Sequence, residues 1–223
     1  MGDSILVVNP NTNESTTEML VEVAACALSD MSTTVVGVTA RAGPRMITDV
    51  PALARAAVHT VEAAMTGIAL HDPVAVIVGA FGDPGVSELR AMTGIPVVGL
   101  GEAAVLAAGT DGRRFAIATT TGELAESLCS LVARVDPNAD FAGVMLTSTG
   151  PLALARAPEE SVTQLAAAVD RAAEAGAEAV IIGGGPLSAA ARALSPRSDV
   201  IIIEPVPSAV QWVLEQAQDM SPT

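Results

Sequence analysis

The chain has 223 residues, half of them hydrophobic, and a formal net charge of −14. This charge disfavours nucleic acids and anionic membranes as partners, because both are bound through clustered cations. All eleven basic residues are Arg and there is no Tyr, which excludes lysine Schiff bases, a Walker A lysine and phenolic acid–base catalysis.

Short aliphatic runs alternate with Ala-rich amphipathic stretches along the whole chain, which predicts alternating strands and helices. In chain order, the predicted strands are 5–8, 34–38, 74–79, 97–99, 115–119, 141–145, 179–183 and 200–204. The predicted helices are 16–29, 50–70, 85–92, 102–108, 123–135, 158–175, 187–194 and 207–218. This order, with β-branched runs typical of strands buried on both faces, predicts an α/β fold with parallel sheets.

One sequence pattern occurs twice in the chain. The run from Ala75 matches the run from Ala179, so that Gly79 pairs with Gly183, and the strand at 5–8 has a counterpart beginning at 115. The repeat predicts two similar Rossmann-like lobes, related by pseudo-two-fold symmetry, with a cleft between them. We expect the first lobe to comprise residues 1–108 plus a C-terminal helix at 207–218, and the second to comprise 109–206.

Polar or glycine-rich loops follow four of the predicted strands, at positions 9–12, 80–83, 119–122 and 184–186. Ligands of open parallel sheets bind beyond the carboxyl ends of the strands. Each loop also precedes a predicted helix, whose free N–H groups favour a carboxylate or a negative charge developing on oxygen. The residues predicted to bind substrate are Asn9, Asn11, Thr12, Ala80, Phe81, Gly82, Thr119, Thr120, Thr121, Gly184 and Gly185.

Three segments carry a family resemblance: Asn-Pro-Asn-Thr at 9–12, Phe-Gly-Asp-Pro-Gly at 81–85 and Pro-Val-Val-Gly-Leu-Gly-Glu-Ala at 96–103. The chain resembles the Asp/Glu/hydantoin racemase superfamily, most closely its hydantoin and allantoin racemase branch. The resemblance extends over nearly the whole chain. It implies a two-lobed α/β fold and cofactor-free proton transfer at a carbon next to a carbonyl, performed by two cysteines on opposite sides of the cleft.

The chain departs from this family at both cysteine positions. Ala80 stands where the family has its first cysteine, and Gly184 stands where it has the second. Neither side chain can exchange a proton. Cys26 and Cys129 lie in predicted amphipathic helices, where we expect them to be small packed residues rather than nucleophiles.

The carboxylates Asp83 and Glu102 are the candidate catalytic residues. Each also has a structural interpretation: Asp83 as the N-cap of a helix with Pro84 at the first helical position, and Glu102 as a partner of a helix dipole. Glu204 is interpreted as the counterpart of Glu102 in the second repeat. His59 and His71 lack metal-ligand spacing, so no metal is predicted.

The sequence therefore predicts an enzyme without cofactor that stabilises an enolate-like charge on a small carboxylate or cyclic amide by a route without thiols. Because inversion needs proton donors on two faces, a one-sided tautomerase, lyase or decarboxylase is an alternative to an isomerase. A second hypothesis is a small-anion-binding protein without catalysis. We expect a cytoplasmic homo-oligomer, since two isolated thiols suit a reducing compartment.

Overall fold

The computed structural model describes residues 4–28, 33–184 and 187–219. These residues form two four-stranded parallel sheets with helices between the strands, which confirms the predicted α/β fold. The strands are β1 Ser4–Asn9, β2 Thr34–Thr39, β3 Ala75–Val78, β4 Val97–Gly99, β5 Phe115–Thr119, β6 Phe141–Leu146, β7 Ala179–Ile182 and β8 Ile201–Ile203. The α-helices are α1 Glu14–Ala27, α2 Val50–His71, α3 Val86–Met92, α4 Leu100–Ala108, α5 Ala125–Val135, α6 Pro151–Leu154, α7 Pro158–Glu174, α8 Ser188–Leu194 and α9 Pro205–Asp219.

The first sheet has the strand order β2-β1-β3-β4, and every neighbouring pair is parallel. Its central strands β1 and β3 are buried along their whole length, as their continuous aliphatic sequences predict. Leu6, Val8, Val76 and Val78 pack with Ala64 of α2 and other apolar residues in one core cluster.

The second sheet repeats this topology with the order β6-β5-β7-β8. Its central strands β5 and β7 are likewise fully buried. Ala118, Val180 and Ile182 join Leu165 of α7 and Leu194 of α8 in a second core cluster. The same strand order in both sheets agrees with the repeat found in the sequence.

The chain divides into two compact units. Unit 1 comprises Met1–Ile47, Pro51–Leu100 and Val206–Thr223, and unit 2 comprises Thr48–Val50 and Gly101–Pro205. The main division follows residue 100, whereas the sequence analysis placed it after residue 108.

The end of α4 lies close to the segment that leads into β5 of unit 2. The Arg113 guanidinium lies 3.4 Å from the Ala107 carbonyl oxygen and 3.5 Å from that of Ala108. A side chain added at Gly109 would lie 3.5 Å from the Phe115 ring of β5. Residues of the polar segment at 109–114 therefore lie close to the end of α4 and to the start of β5.

Candidate active site

Both units join the ends of their two central strands by the same kind of backbone hydrogen bond. In unit 1, the Gly79 N–H donates to the Val8 carbonyl oxygen at 2.7 Å, directly after β3. In unit 2, the Gly183 N–H donates to the Ala118 carbonyl oxygen at 2.9 Å, directly after β7. Because ligands of α/β sheets bind at the carboxyl ends of strands, these two junctions locate the candidate site residues of each unit.

Asn9 is the last residue of β1, and its side chain is fully buried and makes hydrogen bonds within unit 1. Its amide nitrogen lies 2.9 Å from the Asn13 carbonyl oxygen, 3.0 Å from Thr17 Oγ1 and 3.2 Å from Asn11 Oδ1. Its amide oxygen accepts the backbone N–H of Asn11 at 3.1 Å. Since an amide nitrogen carries two protons, three acceptors already share them. These bonds tie the loop to the start of α1, while substrate binding by Asn9 stays a prediction.

Asn11 lies on the same loop and is also buried. Its side-chain oxygen accepts the Asn13 N–H at 2.8 Å. Within the described part of the chain, the hydrogen bonds of the Asn11 side chain run through this oxygen, so its amide nitrogen is available to a ligand. The neighbouring Thr12 N–H donates to the Pro44 carbonyl oxygen at 3.1 Å, which fastens this loop to the one after β2.

The turn after β3 contains three residues with a positive φ: Gly82 at 138°, Asp83 at 56° and Gly85 at 83°. The interpretation of Asp83 as a helix N-cap was wrong, because α3 begins at Val86 and its N-cap is Gly85. The left-handed conformation of Asp83, which is uncommon for residues other than glycine, continues the turn for two more residues before the helix starts.

The Asp83 carboxyl group lies against the end of β4 and is buried. A Cβ atom built at Gly99 would lie 2.6 Å from Asp83 Cβ and closer still to its carboxyl carbon. The carboxyl group thus fills the space that a side chain at position 99 would need, and the absence of one on Gly99 makes this approach possible.

The remaining predicted residues of this unit differ in how accessible they are. Phe81 is buried, and a side chain on Gly82 would lie 3.1 Å from Leu53 Cδ1, so both residues face the protein. Ala80 stays partly exposed at the end of β3. Glu102, in unit 2, is partly exposed in the first turn of α4, where the sequence analysis placed it.

Of the three threonines at 119–121, Thr119 is the last residue of β5 and has a structural role, whereas the other two follow the strand. The Thr119 hydroxyl donates to the Gly183 carbonyl oxygen at 2.7 Å and accepts the Thr121 N–H at 3.3 Å. It therefore holds the loop after β7 against β5. Thr120 is buried as a residue, and its hydroxyl makes no hydrogen bond within the described residues, which leaves it for a ligand. Thr121 is partly exposed and precedes a short 3₁₀ turn.

Gly184 follows β7 with a φ of 149°, a conformation that side-chain-bearing residues rarely adopt. Its carbonyl oxygen accepts the Leu187 N–H at 3.0 Å. A side chain at this position would also lie 3.1 Å from Leu187 Cδ1. Gly185, the last predicted substrate-binding residue, lies outside the described residues.

The sequence pattern of one protein family, Asp/Glu/Hydantoin racemase, matches residues 5–213. The chain belongs to this family. It is 28% identical over 206 residues to a hydantoin racemase from Paenarthrobacter aurescens, a match that covers 92% of this chain and 87% of the relative.

Solved structures of the same family share the fold of this chain. An allantoin racemase from Klebsiella pneumoniae superposes with a TM-score of 0.89 at 27% identity, covering 99% of this chain and 90% of that one. An allantoin racemase from Pseudomonas fluorescens gives a TM-score of 0.86 at 25% identity, covering 96% and 91%. Together, the family match and these likenesses make the chain a racemase-family enzyme.

The two cysteines of this racemase-family enzyme lie on helices. Cys26 is near the end of α1 and Cys129 is in α5, as predicted, but both are exposed. Their interpretation as packed core residues was wrong, because each falls on the outward side of its amphipathic helix. Neither belongs to the loops at residues 9–12, 80–83, 119–122 or 184.

Glu204, which was not among the predicted site residues, directly follows β8. Its side chain is 23% exposed, and Oε2 lies 3.5 Å from Nε of Arg192 on α8. Burial raises the pKa of the Glu204 carboxyl above its ordinary value, and the Arg192 guanidinium opposes part of this rise. A carboxyl with a raised pKa at a strand end has the properties expected of an acid–base group.

Neither a membrane-spanning helix nor a metal-binding cluster occurs among the described residues. None of the helices there combines the length and apolarity needed to cross a bilayer. No group of three or more His, Cys, Asp or Glu side chains in 4–28, 33–184 and 187–219 is arranged to hold a metal ion.

Proposed function

We propose that this racemase-family enzyme moves a proton at a carbon beside a carbonyl group, without a cofactor and without thiol chemistry. One observation carries the proposal: Ala80 and Gly184 stand at the two strand ends where the family resemblance places cysteines, whereas Cys26 and Cys129 lie exposed on helices. The substrate is a small cyclic amide or a small carboxylate, a class supported by the hydantoin and allantoin racemases that resemble the chain.

Two donors at the strand ends that make no hydrogen bond among the described residues favour a cyclic amide. The Asn11 amide of unit 1 and the Thr120 hydroxyl of unit 2 are uncharged, and each by itself suits a carbonyl oxygen that gains negative charge as the adjacent C–H bond breaks. Polar groups placed in advance around such an oxygen stabilise the enolate more than the starting amide. The catalytic effect would therefore come from hydrogen bonding to the enolate oxygen, with Asp83, Glu102 or water as the proton relay.

Racemisation by two carriers requires a proton donor on each face of the carbon atom. Since residues 80 and 184 supply none, the proposal includes the one-sided reactions of a tautomerase, lyase or decarboxylase. In each of these, the enolate forms and is protonated or rearranged from one side.

The test is a cysteine-free variant, Cys26→Ser combined with Cys129→Ser. Wild type and variant are incubated in D₂O with allantoin and with 5-substituted hydantoins, and exchange of the proton at the ring carbon beside the carbonyl is followed by NMR. We expect equal exchange rates. Exchange in the wild type that is lost in the variant would refute the thiol-free route, and no exchange by the wild type on this panel would count against the enzyme proposal.

The lack of acid–base groups at residues 80 and 184 also supports a second candidate, a protein that binds a small anion without transforming it. Calorimetric binding of allantoin or of a carboxylate such as aspartate, with no proton exchange, would favour this candidate. Ala80→Cys is the suitable gain-of-function probe, because a cysteine at Gly184 would be strained by its φ of 149° and its contact with Leu187.

We also propose that the enzyme works in the cytoplasm as a homo-oligomer. The two exposed cysteines are unpaired, which suits a reducing compartment. Light scattering after size-exclusion chromatography measures the oligomeric state directly, and cell fractionation locates the protein.

A further inference from the structure

The loop after β7 cannot readily carry a proton donor of its own at position 184. The φ of 149° favours glycine there, and any added side chain would meet Leu187 at 3.1 Å. If unit 2 supplies a proton carrier next to this loop, the carrier must come from a neighbouring strand.

A carboxyl group, that of Glu204, directly follows the end of the neighbouring strand β8. β7 and β8 are parallel, with Ile181 opposite Ile203, and continuing this register one residue past the end of β8 places Glu204 beside Ile182, two residues before Gly184. Neighbouring strands are about 4.8 Å apart. Glu204 and Ile182 also share a sheet face by alternation, the face on which Ile182 packs with Leu187.

The repeat places another carboxyl group at the equivalent position of unit 1. There Val78 lies opposite Gly99, and Val78 corresponds to Ile182 because Gly79 and Gly183 make the same backbone bond. Glu204 is thus the counterpart of Gly99, not of Glu102 as the sequence analysis held. The space beside Gly99 is filled by the Asp83 carboxyl, so each unit has a carboxyl group at the carboxyl end of its fourth strand.

The surroundings of the Glu204 carboxyl group suit the uptake and release of a proton. The side chain is 23% exposed, and a charged neighbour facing it is Arg192 of α8, itself 47% exposed. The distance of 3.5 Å from Arg192 Nε is longer than that of a strong charge-assisted hydrogen bond. Desolvation outweighs this cation and raises the pKa of the Glu204 carboxyl, bringing it nearer to the pH at which a general base operates.

We propose that Glu204 is the proton carrier of unit 2, a role that rests on the function proposed above. Its carboxylate oxygen takes the proton from the carbon beside the substrate carbonyl, so that the C–H bond breaks and an O–H bond forms. The electron pair moves to the carbonyl oxygen, which the Thr120 hydroxyl stabilises as an enolate. The carboxyl group, after exchange with solvent, returns a proton to the same face of the carbon.

Deuterium exchange into allantoin and 5-methylhydantoin tests this role with Glu204→Gln, which keeps the shape of the side chain but neither accepts nor releases a proton as an acid–base group at neutral pH. General acid–base groups contribute about 100-fold or more, so we expect exchange to slow by at least about 100-fold. The matched control is Glu174→Gln, an exposed carboxyl at the end of α7, which should exchange at the wild-type rate. Glu204→Asp, which shortens the side chain but keeps the acid, should retain more exchange than Glu204→Gln.

Arg192→Gln gives a second readout that does not require Glu204 to be replaced. Because Arg192 lowers the Glu204 pKa, its loss should move the acidic limb of the pH–rate profile to higher pH. Exchange by Glu204→Gln within about threefold of Glu174→Gln, or an unmoved acidic limb in Arg192→Gln, would overturn the assignment while the proposed function stands. No exchange by the wild type would overturn both.

Discussion

Replacing Gly99 by alanine tests the close approach of the Asp83 carboxyl group to β4. The new methyl group would lie 2.6 Å from Asp83 Cβ and nearer to the carboxyl carbon, so Asp83 must move from its buried position. Overpacking of this kind costs about 1–3 kcal/mol. At a urea dependence of about 2 kcal/mol per molar, a loss of about 2 kcal/mol would lower the unfolding midpoint by about 1 M.

Gly94→Ala is the matched control, since a Cβ at position 94 has no atom within 4 Å. We expect it to change the free energy of unfolding by less than about 0.5 kcal/mol. Asp83→Gly, which suits the φ of 56°, should remove most of the penalty of Gly99→Ala and give a coupling energy of about 1–2 kcal/mol. Equal effects of the alanine substitutions at 99 and 94, or additivity at 83 and 99, would refute the described packing.

Three further predictions concern buried polar side chains. Asn9→Asp leaves three acceptors without a donor and should lower the free energy of unfolding by about 2–3 kcal/mol in urea titrations; an unchanged midpoint would contradict this. Thr119→Val removes the 2.7 Å bond to Gly183 and should cost about 1–3 kcal/mol relative to Thr119→Ser, and equal stabilities would count against the bond. Because the folded-state pKa of Glu204 is raised, its ionisation weakens the fold. The free energy of unfolding of Glu204→Gln, relative to that of the wild type, should therefore increase as pH rises from 4.5 and level off above the raised pKa. A decrease over the same pH range would contradict a raised pKa.

Much of the fold could be predicted from the sequence because the signals are local. The predicted strands at 97–99 and 115–119 match β4 and β5 without a change of bounds, and the other strands differ by one residue at one or both ends. The helix α6, Pro151–Leu154, was missed because four residues are too few to show a helical period.

The positions of the candidate site residues at strand ends could be predicted, but not the orientation of their side chains, and their binding of substrate stays a prediction. The rule that ligands bind at strand ends located the asparagine and threonine loops. The rule does not predict that the donors of Asn9 and Thr119 make hydrogen bonds within the protein. Nor does it predict that, among the described residues, the Asn11 amide nitrogen and the Thr120 hydroxyl make none. The counterpart of Glu204 was also misassigned, because pairing across a sheet requires the strand register and not only the spacing along the chain.

The last helix has a consequence for the order in which the protein is made. Val206, Ala209, Val210 and Val213 of α9 are buried, and α9 from Val206 onward belongs to unit 1. A ribosome therefore finishes the segments of unit 2 while unit 1, although begun first, still lacks its final helix. Nascent chains stopped near residue 205 would leave apolar surface of unit 1 uncovered, so we expect them to aggregate or to be degraded more readily than chains that have reached the end of α9.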